Sequence, residues 1–266
     1  MKRYLSIYAE CVKTAMARAL SYRLNFILSL VITIGYNALF PLVSVLIYRS
    51  GAGFPGWNFY EVLLMQSVFI LSQGFASIMF SNVLWTTMQH IREGSFEIVL
   101  LKPMNPLFFL IASNFDPESI GLIIGGGFLF TFSLSQTGIA SAAVIPHAVL
   151  IAQFLLLFAA GFSVMAGMNM IMAATSFKWV GNSRIPEIFD SVMTFGKYPV
   201  TIFPKAVKGI AAFVIPVSMI GFFPAAALLG KPEPCSLLAV IPCVVFLVFG
   251  TWLYLHMVKL YEGAGG

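Results

Sequence analysis

Apolar residues fall along this chain in long blocks separated by short polar stretches. The first block, Leu24 to Tyr48, ends at the turn-rich Gly51-Ala-Gly-Phe-Pro-Gly, and the second runs from Tyr60 to Leu84. A polar stretch from Thr86 to Pro106 leads to a short third block at about Ser119–Ser135, which carries Gly125-Gly-Gly. The fourth is Val144–Ala174; a polar, basic stretch from Ser176 to Lys208 precedes the fifth, Gly209–Leu229, and the sixth is Leu237–Val258. Crossing the hydrocarbon takes about 20 apolar residues in a helix, so the pattern predicts spans at 24–48, 60–84, 119–135, 144–174, 209–229 and 237–258. Ahead of them, Tyr4, Tyr8, Val12, Met16 and Leu20 repeat every fourth residue, while Lys2, Arg3, Glu10, Lys13 and Arg18 take other faces. That spacing predicts an amphipathic interfacial helix over 1–23, lying in the headgroup layer. The first apolar block is too long for a signal-peptide core, which holds roughly 7–15 residues. The expectation is an all-α polytopic membrane protein, with 1–266 forming one transmembrane domain.

Composition agrees and removes other classes. Hydrophobic residues make up 59% of the 266 and charged residues 9%, against roughly 25% charged in a soluble protein. The net charge of +5 does not signal nucleic-acid binding, because the basic residues sit between apolar blocks rather than clustered on a soluble face. There they orient the chain. With the amino terminus inside, the inside segments hold Lys2, Arg3, Lys13, Arg18, Arg23, Arg92, Lys102, Lys178, Arg184, Lys197, Lys205, Lys208 and Lys259, and the outside holds Arg49 and Lys231. Thirteen against two predicts an even number of spans with both termini cytoplasmic, and the chain is expected in the cell (inner, cytoplasmic) membrane.

Chemistry in the chain itself is not expected. Cys11, Cys235 and Cys243 are scattered, and His90, His147 and His256 are far apart, so no metal site is predicted. Gly196-Lys197 runs into Tyr198 and Gly230-Lys231 into Pro232, and neither has the upstream glycine of a phosphate-binding loop. No acidic residue falls at the centre of a predicted span, which argues against ion-coupled transport. Asn37, Gln66, Gln73, Gln153 and Asn169 lie within spans and are read as interhelical hydrogen bonds. Small-residue pairs Gly121/Gly125, Ser77/Ser81 and Ser163/Gly167 permit close helix packing. Asp116, Pro117 and Glu118 are placed at the cytoplasmic mouth, because carboxylates are costly at the bilayer centre. Pro216 and Pro224 interrupt the fifth block, and Phe222-Phe-Pro-Ala is read as a re-entrant turn near the outer face.

The segment from Arg92 to Pro106, REGSFEIVLLKPMNP, is more structured than a connection requires. Phe96, Val99 and Leu100 share a helical face, Glu93 and Glu97 sit one turn apart on another, and Gly94, Pro103 and Pro106 bound the unit. A short amphipathic helix with exposed charges suits docking to a soluble partner. Together with TFGKYPVTIFP at Thr194–Pro204, IPVSMIGFFPAAALLG at Ile215–Gly230 and the terminal YEGAGG at Tyr261–Gly266, this segment resembles the permease subunits of type-2 ABC (ATP-binding-cassette) exporters. The narrower likeness is to the short six-span branch, the ABC-2 family transporter proteins. The resemblance implies a membrane-spanning permease pairing with a second permease, identical or related, and with two separate ATPase subunits on the cytoplasmic side. ATP and Mg would be held by those ATPases, so the chain itself is not an enzyme and carries no cofactor. The resemblance places a coupling helix within 86–106, with Arg92, Glu93, Gly94, Phe96, Glu97, Lys102 and Pro103 at the ATPase contact and Phe96 as its apolar anchor. Lys197 and Tyr198 are candidates for a second cytoplasmic contact, and Pro216, Phe222, Phe223 and Pro224 for an outer gate. An ion-coupled carrier or channel and a non-transporting membrane scaffold are the alternatives.

Overall fold

The computed structural model describes residues 2–138, 147–179, 184–234 and 236–262. The start of the expected span at 144–174, Cys235 and the last four residues of YEGAGG lie outside the described residues. Among the described residues every regular element is helical. α1 is Lys2–Ser21, and α2, Arg23–Arg49, follows it after a one-residue elbow at Tyr22. α3 is Phe59–Arg92, α4 Phe96–Leu100, α5 Pro106–Ser113, α6 Ile120–Gln136 and α7 His147–Thr175. α8 is Arg184–Phe195, α9 Lys205–Gly209, α10 Phe222–Leu228 and α11 Val240–Lys259.

Five of these, α2, α3, α6, α7 and α11, are long and apolar enough to cross a membrane. α3 is the axis of the bundle: 67% of its most apolar stretch is buried, against 11% for α2. It packs α6 on one side and α7 on the other, with α2 against α6 and α11 against α7. Asn58 starts α3 with a reciprocal cap, its Oδ1 accepting from the Glu61 amide at 2.9 Å while Glu61 Oε2 accepts from the Asn58 amide at 3.0 Å. Gly94 stops it, adopting φ +65° so that the Ser95 amide reaches back to the His90 carbonyl at 2.8 Å. The helix thus runs eight residues past the expected end at Leu84, because Thr87 turns inward to the Tyr254 hydroxyl at 3.0 Å.

Small residues bring the helices together. A Cβ on Gly250 would stand 2.5 Å from the Gly167 carbonyl oxygen, so α7 and α11 touch backbone to backbone there. Gly121 lets the Leu30 backbone of α2 approach closely, and Gly125 takes the Ile34 side chain. Of the in-span amides, Gln66 reaches other elements, donating to Ser44 Oγ at 2.9 Å and to the Lys197 carbonyl at 3.5 Å. Asn37 and Asn169 instead donate to carbonyls of their own helices, Thr33 and Met165.

The largest departure from the sequence expectation concerns 176–229. Phe177, just past the end of α7, meets Phe96 edge to face, so it lies at the α4 end of the molecule. Tyr198 stacks on Phe54, in the loop between α2 and α3 at the far end, and the Lys197 ammonium rests 4.0 Å from the centre of the Phe40 ring of α2. Lys208 pairs with Glu233 at 3.1 Å, two residues from Lys231, which pairs with Glu61 at 2.7 Å. The chain therefore climbs from the α4 end to the far end through α8 and the segment 196–204, and this is its fifth crossing. Residues 205–228 are no span: Lys205–Val214 and Val217–Leu228 meet at a 77° bend, dip into the bundle and return to the far end. Ser72 Oγ donates to the Ile220 carbonyl at the turn, 3.0 Å away, about 20 Å along α3 from its first residue. Lys197, Lys205 and Lys208, expected in an inside loop, belong toward the far end. The basic residues now divide ten to five, still favouring the α4 end.

Candidate functional site

α4 sits at the foot of α3 and is pinned from within. Ser95 Oγ hydrogen-bonds His90 Nδ1 at 2.8 Å, fixing the turn between the two helices. Phe96 and Val99 are fully buried. The Phe96 ring meets Phe177 at 5.0 Å and Tyr261 at 5.1 Å, and Phe177 meets Tyr254 at 5.6 Å. One aromatic cluster thus ties α4 to the ends of α7 and α11, and through Thr87 to α3. Phe96 was expected to present an apolar anchor to a partner; it cannot, because it is consumed inside this chain. Leu100, expected to share a face with Phe96 and Val99, is exposed.

What α4 presents outward is a second stripe. Ile98 is 56% exposed and Leu101 82%, flanked by exposed Arg92, Glu93, Glu97, Lys102 and Pro103. Gln89 Nε2 donates to Glu93 Oε1 at 2.8 Å. Among the described residues Glu97 and Arg92 have no ion-pair partner within this chain. Lys102 lies over the Phe109 ring at 5.9 Å, and Asn105 caps α5 by accepting from the Leu107 amide at 2.9 Å. An apolar i, i+3 pair ringed by unpaired charges of both signs has the make-up of a docking surface, with an apolar centre and a polar rim. Sequence reasoning missed Ile98 and Leu101; their signal was the same i, i+3 spacing that picked out Phe96 and Val99.

Lys197 and Tyr198 do not join this surface, as the fold requires; they lie toward the opposite end. Pro216, Phe222, Phe223 and Pro224 are all buried in the re-entrant hairpin, and Phe222 packs on Trp57 at 5.2 Å. The hairpin is held at the far end by the Lys231–Glu61 and Lys208–Glu233 pairs.

α8 has two unlike faces. Phe189, Val192 and Met193 pack on the core, whereas Arg184, Glu187, Asp190 and Ser191 are exposed. Gly196, at its end, abuts Phe69 of α3 and the Val217 carbonyl. Asp190 stands about 9 Å back from there along the helix, on the exposed charged face of a crossing that was not among the predicted spans. Hydrocarbon does not solvate such a face. Among the described residues no group of three or more His, Cys, Asp or Glu is placed to hold a metal.

Fold and site define a polytopic α-helical membrane protein with an exposed apolar and charged surface on α4 at one end and a re-entrant hairpin at the other. Residues 16–265 match the ABC-2 family transporter protein family, and the chain belongs to that family. It is accordingly a membrane permease component of an ABC-2 transporter rather than the ATPase. No curated protein and no solved structure matches it.

Proposed function

We propose that this chain is the permease of an ATP-driven exporter, pairing with a second permease and with two separate ATPase subunits, and moving substrate outward. The observation that carries the reading is the α4 surface: Ile98 and Leu101 stand exposed among unpaired charges while Phe96 and Val99 lock the same five residues to α3, α7 and α11. An ATPase groove closing over that surface would push on three crossings at once. The α4 end is then cytoplasmic, and both described termini lie with it. The charged face of α8 would be covered by the second permease or would line a water-filled path between the two. The hairpin with Pro216, Phe222, Phe223 and Pro224 would close that path at the outer face.

ATP hydrolysis by the chain assembled with its ATPase in nanodiscs tests this. Leu101→Asp with Glu97→Arg should abolish association while leaving the permease folded, since both side chains are exposed; unchanged association rejects the docking surface. The exposed carboxylate of Asp190 on the fifth crossing favours one second reading, an ion-coupled carrier. Gradient-driven transport by the chain alone, lost in Asp190→Asn, would establish it.

A further inference from the structure

A cavity of about 450 Å³ opens at the α1–α2 elbow, lined by Arg18, Tyr22, Asn25, Asn82, Asp116 and Glu118 among others. Its two carboxylates are held in place from the protein side. Asp116 accepts from the Glu118 amide at 3.1 Å and from Ser119 Oγ at 2.7 Å, with Ser81 Oγ at 3.5 Å. Glu118 Oε2 accepts from Ser29 Oγ of α2. Hydroxyls and an amide orient these acids but do not neutralise them. Among the described residues neither carboxylate has a cation within 4 Å, and Arg18 has no acid within 4 Å. The cavity therefore keeps two negative groups and one positive group apart and unpaired, which is the arrangement that receives a zwitterion.

Its position says which zwitterion. α1 is the amphipathic helix before the first crossing, Arg18 and Arg23 flank the elbow, and Tyr22 is exposed beside it, so the cavity lies at headgroup level. Farther along α2, where it meets α6, a second cavity of about 470 Å³ is lined almost wholly by apolar side chains, with Ile34, Ala38, Ile124 and Phe128 among them. A polar pocket at the interface and an apolar one farther along α2 suit the two ends of one amphiphile.

We infer that this crevice binds a phospholipid whose headgroup carries a primary ammonium beside its phosphate, as phosphatidylethanolamine does. The ammonium offers three N–H donors to Asp116 and Glu118, and the phosphate takes the two-pronged guanidinium of Arg18. The acyl chain runs along the outer side of the α2–α6 seam, since Leu30 and Gly121 close the seam itself. Bound there, the lipid staples the interfacial helix to the first and third crossings.

Native mass spectrometry of the delipidated full-length chain, titrated separately with phosphatidylethanolamine, phosphatidylcholine and phosphatidylglycerol, tests the site. The ethanolamine lipid should bind at least tenfold more tightly than either of the others. Glu118→Gln and Arg18→Gln should each erase most of that preference, whereas Lys13→Gln, at an exposed pair with Glu10, should not alter it. Equal binding of the three lipids, a preference for the glycerol lipid, or a choline lipid bound as tightly as the ethanolamine lipid overturns the assignment. So does magnesium bound without lipid and lost in Glu118→Gln, which would give the carboxylates to a metal ion.

Discussion

Replacing Phe96 by Ala removes the side chain that holds α4 to the bundle. A helix of five residues is far below the roughly 12–15 that persist alone in water, so the order of α4 comes from packing. Phe96 is fully buried and meets two rings at 5.0 and 5.1 Å. Truncating such a side chain costs about 3–5 kcal/mol where the surroundings cannot collapse, and each ring pair adds about 0.5–1.5 kcal/mol to what is lost. Taking ~3 kcal/mol as the loss in local opening energy, amide exchange across α4 should accelerate about 100-fold. The reporting amides are Ile98, bonded to the Ser95 carbonyl at 3.1 Å, and Leu101, bonded to the Glu97 carbonyl at 2.9 Å. Hydrogen exchange of the full chain in nanodiscs reads them directly. Val62–Val68 in α3 should stay protected, showing that the change is local, and Leu101→Ala should leave α4 protection alone. Exchange at Ile98 and Leu101 within threefold of the parent would refute the reasoning, since something other than Phe96 would then order α4.

Three further outcomes follow. A membrane-impermeant thiol reagent should label Ser50→Cys and Lys208→Cys from one side and Glu97→Cys from the other; labelling of 97 and 208 from the same side would restore 176–208 as an inside loop. Gly250→Ala must move a backbone contact of 2.5 Å outward by about 0.9 Å to reach ordinary contact distance, and overpacking of this kind costs about 1–3 kcal/mol. Its Tm in detergent should fall by several degrees, while Gly35→Ala, with nothing within 4 Å of the new Cβ, should not lower it. Lys231→Gln should loosen the hairpin's tether to Glu61, raising protease cleavage at 229–234, and Glu61→Gln on top of it should add little. The coupling between the two should be about 1 kcal/mol, because Lys231 is half exposed; strictly additive effects would show that the pair does not bind the hairpin.

Five crossings were legible because α2, α3, α6, α7 and α11 are apolar around most of their circumference, and a run of about 20 such residues has one stable setting. The fifth was not, because its evidence is divided. α8 has only 12 residues and interleaves Arg184, Glu187, Asp190 and Ser191 with its apolar side chains, so no window over Ser176–Lys208 is apolar throughout. Counting Lys and Arg then drew the segment to the inside, since a count treats every cation as free in solvent. Two of these are not: Lys197 rests on the Phe40 ring and Lys208 is neutralised by Glu233. The apolar run at 209–229 was real, but the π-helical turn at Ile210–Val214 and Pro216 fold it back on itself.

The short helix within 92–106 was legible in place and illegible in orientation. REGSFEIVLLKPMNP contains two apolar stripes, Phe96 with Val99 and Ile98 with Leu101, and periodicity ranks them equally. Only the aromatic residues waiting at Phe177, Tyr254 and Tyr261, distant in sequence, decide that Phe96 turns inward. The elbow cavity was hidden for the same reason, since Arg18, Asn82 and Glu118 meet across three helices that no local pattern connects.

The most direct test of the account is to ask which end of the permease touches its ATPase. In a background with Cys11, Cys235 and Cys243 changed to Ser, Glu97→Cys, Leu101→Cys and Lys208→Cys would each be fitted with a short photo-crosslinker in native membranes. The account predicts crosslinks to the ATPase from 97 and 101 and none from 208. Crosslinks from 208, or none from 97 and 101 while the ATPase still co-purifies, would contradict it.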